Sequence, residues 1–296
     1  MITIKGKTIH WDKLSKKVSV TAEGRQILKQ MDKSKKVYSY QSSKELENTV
    51  LIRESIIDAA KNLNDSKARF AVFEETKANK MYWAVTDQGG IRKLEGVKSS
   101  AAVQDIFNNG AKYAFECATA IIILYYYAAL NYLGSEKFNT YFEDLYLYSW
   151  EADSDLGIQN TKVKEPIPGD IVYFNNPDYV KPQWRGENSV FLGDNLYYGH
   201  GMGILSKNDM IEQLNRLGES NEEDAHMLDK IVRPSFDHWY KLKKENVRSS
   251  RAINNQGVLE NVRHHNLTSI SYYYYYSLIR KFNNGKIKIT ITGKPE

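Results

Sequence analysis

The sequence predicts an α+β protein built around one core, on three observations. A long apolar stretch from Tyr113 to Leu133 reads as a buried helix closed by Gly134. From Gly169 onward the pattern changes to short apolar runs separated by turn residues (DIVYF, SVFLG, LYYGHGMGIL), as antiparallel strands require. A helix followed by strands is the order of segregated α and β layers. The chain has 296 residues, 42% hydrophobic and 26% charged, enough apolar material for such a core and too much for wholesale disorder.

The elements follow in order. Met1 to Ile9 predicts a short strand, and a polar, lysine-containing helix follows within the first ~35 residues. Ser43 to Asn64 predicts a helix, with Leu46, Val50, Ile57 and Ala60 near helical spacing. Arg69 to Phe73 and Met81 to Val85 predict strands around a polar turn, and Ile91 to Leu94 a third. Ser99 to Asn109 predicts a helix with Ser99 or Ser100 as N-cap. Asn139 to Asp144 predicts a short helix or turn, Leu145 to Trp150 a strand, and polar Glu151 to Pro166 a loop. Asp194-Asn195 predicts a hairpin turn, and Asn208 to Leu217 a helix with Met210, Leu214 and Leu217 on one face. Beyond about Lys243 the chain changes character. Arg248 to Asn261 is polar and reads as a mobile arm, Tyr272 to Tyr276 is a run of tyrosines, and the alternating Lys286 to Thr292 reads as a docked strand.

Composition excludes several functions. A single cysteine excludes an intrachain disulfide, a disulfide-stapled scaffold and multi-cysteine metal centres. The N-terminus lacks an apolar signal region. The longest mostly apolar run, Ala118 to Leu130, is shorter than the ~18–20 residues a bilayer span needs, so no membrane partner is expected. The formal charge is +5, with Lys and Arg scattered among acids, so no nucleic-acid partner is expected either. An intracellular, reducing compartment is the expected location. The 21 tyrosines admit two readings, a tyrosine-rich core or aromatic grooves for extended peptides.

The chemistry centres on Cys117. It begins the long helix, where peptide dipoles are expected to favour a thiolate and lower the thiol pKa. Small residues Ala118 and Ala120 leave room for a substrate. An acid and a histidine follow downstream in the order Cys…Glu…His, a pattern of a cysteine nucleophile with partners from a neighbouring sheet. Paired glycines give access to His200, in YYGHGMGI. Glu187, in QWRGEN, has neighbours Trp184, Gly186 and Asn188, unlike a solvated charge run. A hairpin between Glu187 and His200 is expected to set both side chains on one face. His10, His226, His238, His264 and His265 read as surface residues.

The segments YAFECATAIIILYYYAAL, GDIVYFNNP, QWRGENSVFLG and YYGHGMGI closely resemble the small transglutaminases of spore-forming bacilli, the protein-glutamine γ-glutamyltransferases. The N-terminal strand, QSSKELENTVLIRESIIDAAKNL and RFAVFEETKANKMYWAV are similar too, so the resemblance runs to roughly Leu242. It implies a single-domain, papain-like core of the NlpC type over residues 1–242, with residues 243–296 a C-terminal extension. It implies Cys117 as nucleophile, with Glu187 the main acid–base group and His200 a positioning and charge-supporting partner. Glu116 corresponds to an alternative proton acceptor, and Trp150, Trp184 and Phe70 to walls of a substrate tunnel. It also implies cross-linking of glutamine- and lysine-bearing spore-coat proteins by a monomer in the mother-cell cytoplasm, associated with the spore coat. No cofactor or metal is expected: the sequence has no DxDxDG-type calcium loop, and a calcium-independent enzyme is the expectation. Two other readings remain beside it, a papain-type cysteine peptidase or amidase and a non-enzymatic coat scaffold.

Overall fold

The computed structural model describes residues 1–16, 20–163, 165–218 and 223–245. The expected arm, tyrosine run and terminal strand of the C-terminal extension lie outside the described residues.

The helix Cys117–Leu133 is the centre of the molecule. It is apolar all round and buried along nearly its whole length, as a core helix must be. It packs chiefly on the helix Ser43–Asp65, whose Leu46, Val50, Ile57 and Ala60 are buried as their spacing predicts. Ser42 caps that second helix through the Glu45 N–H. Gly134, at φ 86°, ends the central helix. Its tyrosines belong to the core rather than to a groove. Tyr125 donates to the Val232 carbonyl at 3.0 Å, and Tyr132 to Asn48 at 2.6 Å. The Tyr126 hydroxyl accepts from the Asp153 N–H at 2.9 Å. Each buried hydroxyl thus keeps a partner.

The sheet covers one side of this helical layer. Among the described residues its order is Gly203–Ser206, Leu196–Gly199, Gly186–Gly193, Ile171–Asn175, His226–Pro234 and Ile158–Lys162, antiparallel throughout. Strand alternation divides the core. Val190, Leu192 and Tyr198 join the cluster around the central helix, whereas Phe191 and Tyr197 pack with Met210 and Leu214 on the other face. The turn Asp194-Asn195 has positive φ at both residues, the conformation that two-residue hairpins favour.

A buried ion pair joins the layers. The Arg53 guanidinium lies 3.0 Å from Asp170 and donates to the Ile167 and Pro168 carbonyls, with both side chains excluded from solvent.

Several expectations need correction. Ile158–Lys162 is an edge strand inside the expected loop; three of its five residues are exposed, and its sequence shows no apolar run. Phe73–Glu75 is a 3₁₀ turn rather than the end of a strand. Neither Ser99 nor Ser100 caps its helix: Lys98 holds that position, and the Ser99 hydroxyl donates to the Glu143 carbonyl. The expected antiparallel sheet is present; outside it, Ile2–Ile4 pairs in parallel with Tyr38–Tyr40, and Arg69–Phe70 with Ala114–Phe115. The strand His226–Pro234 and the helix Phe236–Lys244 complete the fold.

Candidate active site

The chain reaches Cys117 along a short, fully buried strand. Ala114–Phe115 pairs with Arg69–Phe70, which sets Phe70 beside Phe115 and fixes where the central helix starts. Glu116 then occupies the N-cap. Its Oε2 accepts the Ala118 N–H at 2.7 Å, and its Oε1 accepts the Thr119 N–H at 2.7 Å and the Thr119 hydroxyl at 2.9 Å. A carboxylate there satisfies free helix N–H groups and meets the positive end of the dipole. The Thr119 hydroxyl also accepts the Ser149 N–H at 2.8 Å. Ser149 takes a left-handed φ of 50°, and the next residue is the buried Trp150. This chain of bonds ties Trp150 to the first turn of the helix.

Glu187 and Asn188 come from Gly186–Gly193, a central strand buried from end to end. Both are nearly solvent-free, at 2% and 3% exposure. Asn188 Nδ2 donates to Cys117 Sγ at 3.6 Å. The ladder with the next strand pairs Ser189 with Gly199 and Val190 with Tyr198. That ladder ends at Ser189 and Gly199, before His200. His200 lies just past its strand, in the turn to Gly203–Ser206, where its backbone N–H favours the charged form of Glu187. Its ring stacks on Phe115 at 4.7 Å, and Nδ1 lies 3.2 Å from the Tyr198 hydroxyl.

The glycines beside His200 admit close neighbours. Gly201 has φ +99°, and a Cβ there would fall 2.7 Å from Phe70 Cβ. Phe70 in turn stacks on Trp184 at 5.2 Å. Phe70 and Trp184 thus form one aromatic pair against the His200 turn. Trp150 is buried next to Ser149, whose N–H is held by Thr119 of the nucleophile helix.

Burial governs the electrostatics. The Cys117 thiol is pushed well above its ordinary value by desolvation, and the Glu187 and Glu116 carboxylates add to the rise. The Asn188 side chain and backbone N–H oppose it. The expectation of a thiol lowered by the helix N-terminus is therefore corrected: burial, with the two carboxylates adding to it, outweighs the dipole. Glu187 is also raised well above the usual carboxylate range, by burial first, with the Glu116 charge adding and the His200 N–H opposing. Glu116 is raised by burial against the hydrogen bonds that hold it. His200 is pushed down to about 4 by burial, although the Arg69 and Phe115 carbonyls favour its charged form. Its imidazole is neutral at neutral pH, so the charge-supporting half of its expected role does not fit this environment.

Cys117, Glu116, Glu187 and His200 are thus brought together, with Asn188 and Thr119 added to them. Asn188 was visible as one of three consecutive polar residues, Glu187-Asn188-Ser189, in an otherwise apolar strand. Thr119 gave no signal of its own. Among the described residues no group of three or more His, Cys, Asp and Glu side chains is arranged to hold a metal ion. His10 and His226 are exposed, and His238 is half-buried against Asp155.

A cysteine opening a buried helix, set against an antiparallel sheet that carries an acid and a histidine, is the arrangement of papain-like cysteine enzymes. Residues 1–243 match the family model of protein-glutamine gamma-glutamyltransferase. The chain belongs to that family, and the enzyme is an acyltransferase. It is 39% identical over 218 residues to a protein-glutamine gamma-glutamyltransferase of Bacillus pumilus (strain SAFR-032), a match covering 73% of this chain and 88% of the relative. It is 40% identical over 257 residues to one from Halalkalibacterium halodurans, covering 85% and 89%. The solved transglutaminase of Geobacillus stearothermophilus, described as lacking its C-terminal extension, is 38% identical with a TM-score of 0.66. That match covers 69% of this chain and all of the solved one.

Proposed function

We propose that this enzyme forms isopeptide cross-links with Cys117 as nucleophile and Glu187 as the group that moves protons. The observation that carries the reading is geometric: Cys117 opens the buried central helix with Asn188 of the buried strand at its sulfur, and the nearly solvent-free Glu187 is the adjacent residue on that strand. A glutamine side chain is a weakly electrophilic amide, so a thiolate must be made at the moment of attack. Glu187, with its raised proton affinity, is a stronger base than a solvated carboxylate and suits that task. It takes the thiol proton as sulfur attacks the γ-carbonyl carbon. It returns the proton to the leaving nitrogen as the C–N bond breaks, ammonia departs and a thioester remains. A lysine ε-amine then attacks the thioester, Glu187 accepts its proton, and the thiolate leaves and is reprotonated. The balance is one carboxamide and one amine converted to one isopeptide and ammonia.

In this reading His200 positions Glu187 through its backbone N–H, and Glu116 fixes the helix start and stands beside the thiol as a second proton acceptor. Phe70, Trp184 and Trp150 supply apolar walls that suit the alkyl stem of lysine and favour aminolysis over hydrolysis. Residues 1–242 are the catalytic unit and 243–296 an extension. The substrates are glutamine- and lysine-bearing proteins of the spore coat, met in the mother cell by a monomeric enzyme. No step requires a metal, so activity is calcium-independent.

The test is incubation with a glutamine peptide and a labelled primary amine, with and without a chelator. Incorporation of label that is lost in Cys117→Ala supports the reading. Release of the free acid alone points to a hydrolase, and incorporation by Cys117→Ala removes the nucleophile assignment.

A further inference from the structure

We propose that Asn188 is a dedicated hydrogen-bond donor to the nucleophile: its carboxamide N–H holds Cys117 Sγ in place and stabilises the thiolate formed when the proton leaves. This rests on Cys117 being the nucleophile. Three observations carry it. The Nδ2–Sγ contact of 3.6 Å links the buried strand Gly186–Gly193 directly to the first residue of the central helix. Asn188 is 3% exposed, and its Oδ1 meets no hydrogen-bond partner among the described residues. A buried amide with an unpaired end is costly, and an apolar residue at that position would fold better. The sulfur contact is therefore what the amide is kept for.

Third, the surroundings need such a donor. The charged or titratable groups near Sγ are Glu116 before the helix and Glu187 on the strand, with the His200 turn behind Glu187. Both carboxylates oppose a negative sulfur, and the histidine, neutral at neutral pH, brings no positive charge. The Asn188 side chain and backbone N–H favour the thiolate against them. A neutral donor does this without adding a buried cation that would pair with Glu187 and weaken it as a base.

The experiment measures the rate of Cys117 alkylation by iodoacetamide against pH, by mass spectrometry of the intact protein. The parent is compared with Asn188→Ala, Asn188→Asp and Asn188→Leu. Leucine keeps the branched outline without a donor and suits a buried strand, so a folded donor-free variant remains even where alanine or aspartate does not fold. Loss of the donor is expected to move the alkylation profile up by about one pH unit, a roughly tenfold slower reaction at neutral pH. Asn188→Asp keeps an acceptor but adds a third carboxylate, and is expected to react more slowly still. A profile in folded Asn188→Leu that superimposes on the parent overturns the proposal, as does an Asn188→Asp that reacts as fast as the parent. The readout is the thiol itself, so it stands apart from the transfer assay. Transfer by Cys117→Ala would remove the nucleophile reading whatever the alkylation profiles show.

Discussion

Gly199 lies directly against the Glu187 carboxylate: a Cβ at Gly199 would fall 2.9 Å from Glu187 Cγ and 3.1 Å from its Oε1. Gly199 is not in the left-handed region, so alanine is conformationally acceptable there and its effect is purely one of space. A methyl group must push the carboxylate aside by a few tenths of an ångström or more. Gly199→Ala is therefore expected to lower kcat for amine incorporation by up to ~10²-fold, since small misplacements of catalytic groups carry such costs. Thermal unfolding should change little. A Gly199→Ala enzyme with parental kcat would show that the position of Glu187 is not critical.

Glu116 gives a second outcome. Its two oxygens hold the first turn of the nucleophile helix through Ala118 and Thr119. Removing a good N-cap costs about 0.5–2 kcal/mol. Glu116→Ala should therefore lose about that much stability in chemical denaturation, with Glu116→Gln losing less because one oxygen remains. If Glu187 is the main base, Glu116→Gln should also keep far more turnover than Glu187→Gln, for which a loss of ~10²–10⁴ is expected. Equal losses would give the two acids equal shares of the proton transfer.

Legibility in the sequence followed burial. The central helix could be read because every face is apolar, and the helix Ser43–Asp65 because only one face is. Cys117, Glu187 and His200 stood out as chemistry-bearing residues among apolar or glycine neighbours. The strand Ile158–Lys162 could not be read, because an edge strand with exposed residues carries no period-two signal. Nor could the direction of the pKa shifts. The helix start argues for a lowered thiol, and only the fold shows two carboxylates beside it. The end of the strand ladder at Gly199, one residue before His200, was equally out of reach, because register depends on the turn.

The ion pair of Arg53 and Asp170 supplies a test away from the site. Both groups are about 1% exposed, and Arg53 also holds the carbonyls of Ile167 and Pro168 at the entry to the strand Ile171–Asn175. Asp170 also lies 3.9 Å from Arg233, so removing Arg53 leaves it only that more distant cation, whereas removing Asp170 leaves the Arg53 charge buried without a carboxylate, at a cost of about 3–5 kcal/mol. Arg53→Met and Asp170→Asn are each expected to lower the denaturation midpoint strongly. The double variant should recover part of the loss, since neither member of the fully buried pair is then left without the other and Arg233 is partly exposed. Additive losses would mean that the two charges do not depend on each other.

His200 links the site to acid stability. Its imidazole is held neutral, with a pKa pushed down to about 4 by burial, whereas an unfolded histidine titrates near 6.5. Between those values the unfolded chain takes up a proton that the folded chain refuses. Stability from this group is complete above pH ~6.5 and is lost as pH falls towards 4, at ~1.4 kcal/mol per pH unit. The span of about 2.5 units corresponds to a loss of roughly 3 kcal/mol. Glu187 and Glu116, whose pKa values are raised, act in the opposite sense and favour the folded state as their carboxyls protonate, so the total profile mixes both. Comparison with His200→Gln, which cannot titrate, isolates the histidine. The difference in unfolding free energy between parent and variant should grow steadily between pH 4 and 6.5, in favour of the parent at the higher pH, and be flat above 7. A difference independent of pH across that window would mean that the His200 ring is free to protonate in the folded enzyme.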